Sequence, residues 1–203
     1  MKIICIGRNY AEHANEMNAP IPTEPILFMK PETALLQKNL PFYYPEFSKD
    51  IHFETEIVLK ISKMGRHIEP IFANRYYDEI GIGIDFTARD IQAQCKSKGL
   101  PWEISKSFDH SAPIGKFISK IKFPFMDDIK FHLEINKKKV QEGNTKNMLF
   151  SFDAIIAYAS KYFTLKKGDL IFTGTPANVG SVKIGDRLEA YIGHEKLLDF
   201  EIK

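Results

Sequence analysis

Cysteine is scarce in this chain: Cys5 and Cys95 are the 2 in 203 residues, far apart and without Cys-x-x-Cys spacing. That excludes a disulfide framework or a zinc knuckle, and two free thiols suit a reducing, cytoplasmic compartment. An excess of charge is lacking too. Against 26 Asp and Glu stand 28 Lys and Arg, a formal +2 that gives no electrostatic case for nucleic acid. The densest basic run, Lys137–Lys139, follows Asn136, where a solvated hairpin tip is expected. No apolar run approaches membrane length, and the opening MKIICIG, met at once by Arg8, is too short for a signal segment. No repeat, low-complexity tract or Gly/Ser linker divides the chain. The expectation is one soluble domain over residues 1–203.

What is present is a succession of short apolar runs. Residues 2–6 and 26–30 read as strands, the second cut by Pro31. Between them Tyr10, Ala14 and Met17 recur at helical spacing. A strand containing Glu54 and Glu56 is expected to run to about Ile61, followed by a helix over IEPIFANRYYDEI and a Gly-rich strand, GIGIDFT. ARDIQAQCKSKG reads as a helix closed by Gly99, residues 129–142 as a hairpin, and SFDAIIAYASKYF as an amphipathic helix with Ser151 as its N-cap. LIFTG, RLEAYIG and KLLDFEI add strands. The fold class expected is α+β, mainly β, with a few inserted helices.

Four groups of residues could carry chemistry. His52, Glu54 and Glu56 occupy alternate positions of one expected strand and so share a face. Chance alone places roughly three acid-x-acid pairs in such a chain, but here the neighbours are apolar, and burying two carboxylates is costly unless a cation sits between them. The pattern fits either a solvated face or half of a metal site, to which Asp85, an acid interrupting an apolar strand, could add a third oxygen ligand. His13 and Glu16 stand three apart on the first helix, as a surface pair or as a base with its orienting carboxylate. Arg89, Gln92 and Lys106 could be solvated helix residues, or could grip a carboxylate and face developing negative charge. Thr175, in FTGTPANVG, offers a hydroxyl at a turn that is either an anion cradle or a plain Gly/Pro loop.

GRNYAEHANEM, PILFMKPETAL, HFETEIVL, DFTARDIQ, KSFDHSAPIG, QEGNTKNMLFS and LKKGDLIFTGTP, in this order, resemble the fumarylacetoacetate hydrolase family. The likeness is closest to its short single-domain branch of acylpyruvate hydrolases and oxaloacetate decarboxylases. It implies a mixed β-sandwich or roll, usually homodimeric. It further implies that Glu54, Glu56 and Asp85 ligate Mg²⁺ (or Mn²⁺), that His13 and Glu16 form a catalytic dyad on a lid helix, and that Lys106 lies beside the metal. Arg89, Gln92 and Thr175 match positions that hold a substrate's carboxylate and keto oxygens, whereas His52 has no such match and is expected to pack beside the site. The chain departs from the family pattern at GIDFTARD and at Ala177-Asn178-Val179-Gly180, both bordering substrate rather than metal.

The activity implied first is metal-dependent hydrolysis of a carbon–carbon bond in acylpyruvate-type 2,4-dioxo acids, giving pyruvate and a carboxylic acid. The same site would serve oxaloacetate decarboxylation or tautomerisation, or isomerisation of a dienoate such as 2-hydroxyhepta-2,4-diene-1,7-dioate. The reading from another class is a non-catalytic module that binds a small acid. A small 2-oxo acid is the partner expected, with no nucleic acid and no membrane.

Overall fold

A computed structural model describes all residues, 1–203. Two sheets dominate. The larger, mixed sheet has six strands in the order Ile26–Lys30, Ile3–Gly7, Leu170–Phe172, Thr55–Ile61, Tyr77–Ile84 and Ile118–Ser119. Only the pairing of Ile3–Gly7 with Leu170–Phe172 is parallel. These central strands read as apolar runs because they are covered on both faces: Ile3, Ile4, Cys5, Ile57, Val58, Leu59, Ile171 and Phe172 have no exposed surface. Gly83 permits that density, since a Cβ there would lie 2.7 Å from the Phe172 ring.

The second sheet is antiparallel, in the order Lys138–Asn144, Lys130–Ile135, Arg187–Ile192 and Glu195–Glu201. Its strands alternate as sheets with one wet face do: Phe131, Leu133, Leu188, Ala190, Leu198 and Phe200 point into the common core. Each of these Leu and Phe side chains contributes roughly 1.5–3 kcal/mol on leaving water. The Asn136-Lys137 turn, with both residues at positive φ, closes the first hairpin as the sequence implied.

The helices are short and lie outside the sheets. Ser151 caps Phe152–Tyr162 by accepting from Ala154 N, and Gly99, at φ 63°, ends Arg89–Lys98. Two expectations are corrected. The helix anticipated over IEPIFANRYYDEI is one turn, Pro70–Ala73, because Tyr77 already pairs with Ile61 and opens the Tyr77–Ile84 strand. The strand through Glu54 is interrupted at that residue: Ile51–Phe53 pairs in a small three-stranded sheet, whereas Thr55–Ile61 enters the large one. No helix is long and apolar enough to cross a membrane.

Candidate active site

The break at Glu54 builds the site. With the chain changing sheets between Phe53 and Thr55, Glu54 and Glu56 both reach a cavity that His52 does not line. His52 instead bonds Asp50 Oδ1 through Nε2 at 3.0 Å, in keeping with a packing role. Asp85 follows the end of the Tyr77–Ile84 strand, the direct neighbour of Thr55–Ile61, and its backbone N–H donates to Glu54 O at 2.8 Å. Glu54, Glu56 and Asp85 are all buried, with one carboxylate oxygen of each within 4.8 Å of the others.

Three acids this close need positive charge. Lys106 Nζ donates to Glu54 Oε2 at 2.8 Å and to Asp85 Oδ2 at 2.6 Å, and Arg89 contacts Glu54 Oε1 at 2.6 Å. Lys30 supplies the third cation, which the sequence reading missed. Its ammonium has no exposed side-chain surface, lies 2.8 Å from Asp85 Oδ1, and donates to Ser111 Oγ at 2.9 Å and to the Lys106 carbonyl. It therefore clamps both the acid and the backbone that presents Lys106. A lysine just before Pro31 in ILFMK reads as the polar end of a strand. The signal that could have exposed it is charge balance, since three buried carboxylates were set against a divalent ion with Lys106 as the one fixed cation placed beside it.

The balance is uneven within the cluster. Burial disfavours ionised Glu54, but Lys106 and Arg89 together outweigh burial and hold its carboxyl well below the usual range. Glu56 is pushed well above it by burial and by the charges of Asp85 and Glu54, relieved only in part by Gly174 N–H, which donates to its Oε2 at 2.7 Å. Asp85 Oδ1 accepts no hydrogen bond, because Lys30 approaches it off the bonding direction. A buried carboxyl short of positive charge, beside a carboxylate oxygen that accepts no hydrogen bond, suits a hard divalent cation, which takes oxygen ligands. These three residues could hold one.

His13 and Glu16 lie on the Ala11–Glu16 helix, whose entry is fixed by fully buried Asn9: its Nδ2 donates to Thr173 O and Phe150 O, and its Oδ1 accepts from Phe150 N. His13 Nδ1 meets Glu16 Oε2 at 3.1 Å, and Glu16 Oε1 accepts from Asn178 N at 3.0 Å. Asn178 stands at φ 69°, a conformation Asn tolerates better than most residues. His13 is buried and lines the cavity, whereas Glu16 stands behind it. With Nδ1 engaged, Nε2 is the nitrogen left to handle a proton.

Arg89, Gln92 and Thr175 also line the cavity, which encloses about 40 Å³. Arg89 donates to Gln92 Oε1 at 2.7 Å, while its buried Nε makes no hydrogen bond. Thr175 is tied down by Thr55 O and by Gln141 Nε2. Gln141 was absent from the sequence reading; buried on the Lys138–Asn144 strand, it also bonds Thr55 N and Pro176 O, joining the two sheets beneath the site. Eight of the nine residues that the resemblance assigned to the site thus line one cavity, with Glu16 one contact behind.

The family model described as fumarylacetoacetate (FAA) hydrolase C-terminal matches residues 2–201. The human mitochondrial oxaloacetate tautomerase FAHD1 is 41% identical over 201 residues, covering 99% of this chain and 91% of its own. The Escherichia coli K12 oxaloacetate tautomerase YcgM is 38% identical over 195 residues, 95% of this chain and 89% of its own. Among solved structures, a Pseudomonas aeruginosa fumarylpyruvate hydrolase in complex with Mn²⁺ and pyruvate superposes with a TM-score of 0.93 at 34% identity, covering 100% of this chain and 89% of the other. The chain belongs to the fumarylacetoacetate hydrolase family.

Proposed function

We propose that this protein is a divalent-metal-dependent enzyme acting on short 2-oxo acids through their enol forms, with keto–enol tautomerisation of oxaloacetate as its leading activity. The observation that carries the proposal is the meeting of the Glu54, Glu56 and Asp85 carboxylates with Lys106, Arg89 and His13 around one small cavity. A Mg²⁺ or Mn²⁺ ion held by the three carboxylates would supply a Lewis acid for the keto oxygen and the adjacent carboxylate. His13 Nε2, oriented by Glu16, moves the proton at C3. Lys106 faces the negative charge that develops on the keto oxygen, and Arg89, with its free Nε, and Gln92 hold the acid's C1 carboxylate. Thr175 borders the same space. Relatives 38–41% identical are named oxaloacetate tautomerases.

Acylpyruvate hydrolysis, which the sequence reading ranked first, is the second reading, and the His13–Glu16 contact favours it. There His13 Nε2 would take a proton from a water that attacks the distal carbonyl, and carbon–carbon cleavage would give pyruvate and a carboxylic acid. Decarboxylation of oxaloacetate needs no base, so it would depend on Lys106 and the acids but little on His13.

The test is a panel of 2-oxo acids assayed with Mg²⁺, with Mn²⁺ and with EDTA, following loss of oxaloacetate enol absorbance and release of pyruvate. Metal-dependent loss of enol is expected. Cleavage of acetylpyruvate at a greater kcat/KM would place hydrolysis first, and metal-dependent stabilisation without turnover of any acid would leave a binding module instead. The expected assembly is a homodimer. The Ile26–Lys30 strand is an edge of the large sheet, and exposed Leu100, Phe47 and Ile104 line apolar grooves beside it.

A further inference from the structure

The cations of the site fall into two sets. Lys30, Lys106 and Arg89 are each committed to a carboxylate of the acid cluster. Arg8 and Lys96 line the same cavity, yet neither is part of any of the chain's ion pairs or side-chain hydrogen bonds. They come from separate elements. Arg8 follows the Ile3–Gly7 strand, and Lys96 sits on the Arg89–Lys98 helix with its ammonium 5.7 Å from the Trp102 ring centre. Arg8 is held at φ 59°, the left-handed region that a non-glycine residue occupies at a cost and that recurs where a side chain is aimed for function. Burial, with the charges of Arg89 and Arg8, lowers the pKa of Lys96. Both line one cavity, Arg8 half-buried and Lys96 exposed, and neither has an acid as an ion-pair partner, so the two like charges favour an anion there.

We infer that Arg8 and Lys96 form a subsite for a second, distal carboxylate, so that the site prefers 2-oxo dicarboxylic acids to their monocarboxylic counterparts. The inference rests on the 2-oxo acid reading above and adds to it the residues that recognise the far end of the substrate. The formal charges agree. Three acids against Lys30, Lys106 and Arg89 cancel, and a divalent cation leaves +2, before Arg8 and Lys96 are counted. A dianion suits that field better than a monoanion. Arg8 can grip a carboxylate with two parallel N–H groups, while Lys96 offers a compact charge on a mobile stem. Trp102 and Phe28, in the same lining, would flank the short chain between the two carboxylates.

Pyruvate is the probe, because it is oxaloacetate without the distal carboxylate. In Arg8→Gln and in Lys96→Gln, the KM for oxaloacetate is expected to rise about tenfold, the loss of one charge-assisted hydrogen bond. The inhibition constant of pyruvate, which occupies only the metal end, should change by less than about twofold in each variant. Arg8→Lys should recover part of the oxaloacetate KM. The inference is overturned if oxaloacetate and pyruvate weaken together, or if neither changes. Calorimetric titration of the Mn²⁺-loaded protein with pyruvate and with 2-oxoglutarate, which carries a distal carboxylate but is not a β-oxo acid, gives the same comparison without decarboxylation. An enzyme that binds oxaloacetate but does not turn it over would sink the proposed activity, whereas equal affinities for oxaloacetate in wild type and Arg8→Gln would sink the subsite.

Discussion

Two regions of this molecule carry dense charge at nearly the same bond lengths and to opposite ends. On the outer face of the four-stranded sheet, Arg187 bonds Asp199 at 2.8 and 3.1 Å, and Lys196 bonds Glu189 at 2.6 Å and Asp199 at 2.8 Å. In the site, Lys106 and Arg89 reach their carboxylates at 2.6–2.8 Å. The difference is water. Arg187 is 54% exposed, whereas the Lys30 and Asp85 side chains are 0% and 1% exposed. In water a pair costs little to form and little to lose; away from water each ion has lost its hydration, and removing one leaves its partner uncompensated. Packed apolar side chains would suit that depth better, so a buried network of this size points to chemistry rather than to stability.

The comparison breaks most sharply at the acids themselves. Glu56→Gln or Asp85→Asn should lower kcat/KM on the order of a thousandfold, the several kcal/mol that a Lewis acid supplies. Titration with Mn²⁺, followed by its electron paramagnetic resonance, should show the ion unbound at concentrations that saturate the wild type. Retained Mn²⁺ binding in both variants would remove these residues from the ligand set.

Lys30→Met tests the burial argument. Leaving Asp85 with Lys106 as its one cation should cost up to about 3–5 kcal/mol in denaturant unfolding of the metal-free protein. Added Mn²⁺ should return part of that loss, because the cation replaces the missing charge. A loss that is equal with and without Mn²⁺ would mean that Lys30 only fills space.

Lys30 also marks how far the sequence could be read. The acid cluster was legible because carboxylates in apolar runs require an explanation, and Asp85, an acid interrupting another apolar strand, stood out for the same reason; the resemblance then made all three ligands of one ion. The Asn136 hairpin, the Ser151 cap and the Gly99 stop were legible from local chemistry alone. Lys30 was not, since a strand-end lysine looks the same whether its ammonium reaches water or Asp85. The break at Glu54 was hidden for a related reason. Alternation specifies which face a side chain takes but not which sheet the strand joins, and it was the change of sheet that separated His52 from the two glutamates. At Tyr77 pairing with Thr55–Ile61 overrode a helical pattern carried from Pro70, a tertiary decision with no local signature.

Gly174→Ala should have an intermediate effect. Gly174 stands at φ 99°, and a Cβ there would lie 2.5 Å from Asn9 Cβ, in a pair of segments held together by Asn9 Nδ2 and Thr173 O. Strain of roughly 1–3 kcal/mol is expected. Because Gly174 N–H donates to Glu56, the change should weaken Mn²⁺ binding as well as stability, and unaltered binding would show that this backbone contact does not position the acid.

The smallest effect is expected on the wet sheet. Arg187→Ala removes two hydrogen bonds to Asp199, but Lys196 still bonds that carboxylate and water solvates the rest. Thermal unfolding should shift by about 2 °C or less, and the difference should shrink further at about 0.5 M salt, where charges are screened within a few ångströms. The variant should keep its Mn²⁺ affinity, since Asp199 lies outside the acid cluster. A shift as large as that of Lys30→Met would mean that this sheet's ion pairs act as a cooperative network despite their exposure. Burial would then no longer be the variable that separates the two regions.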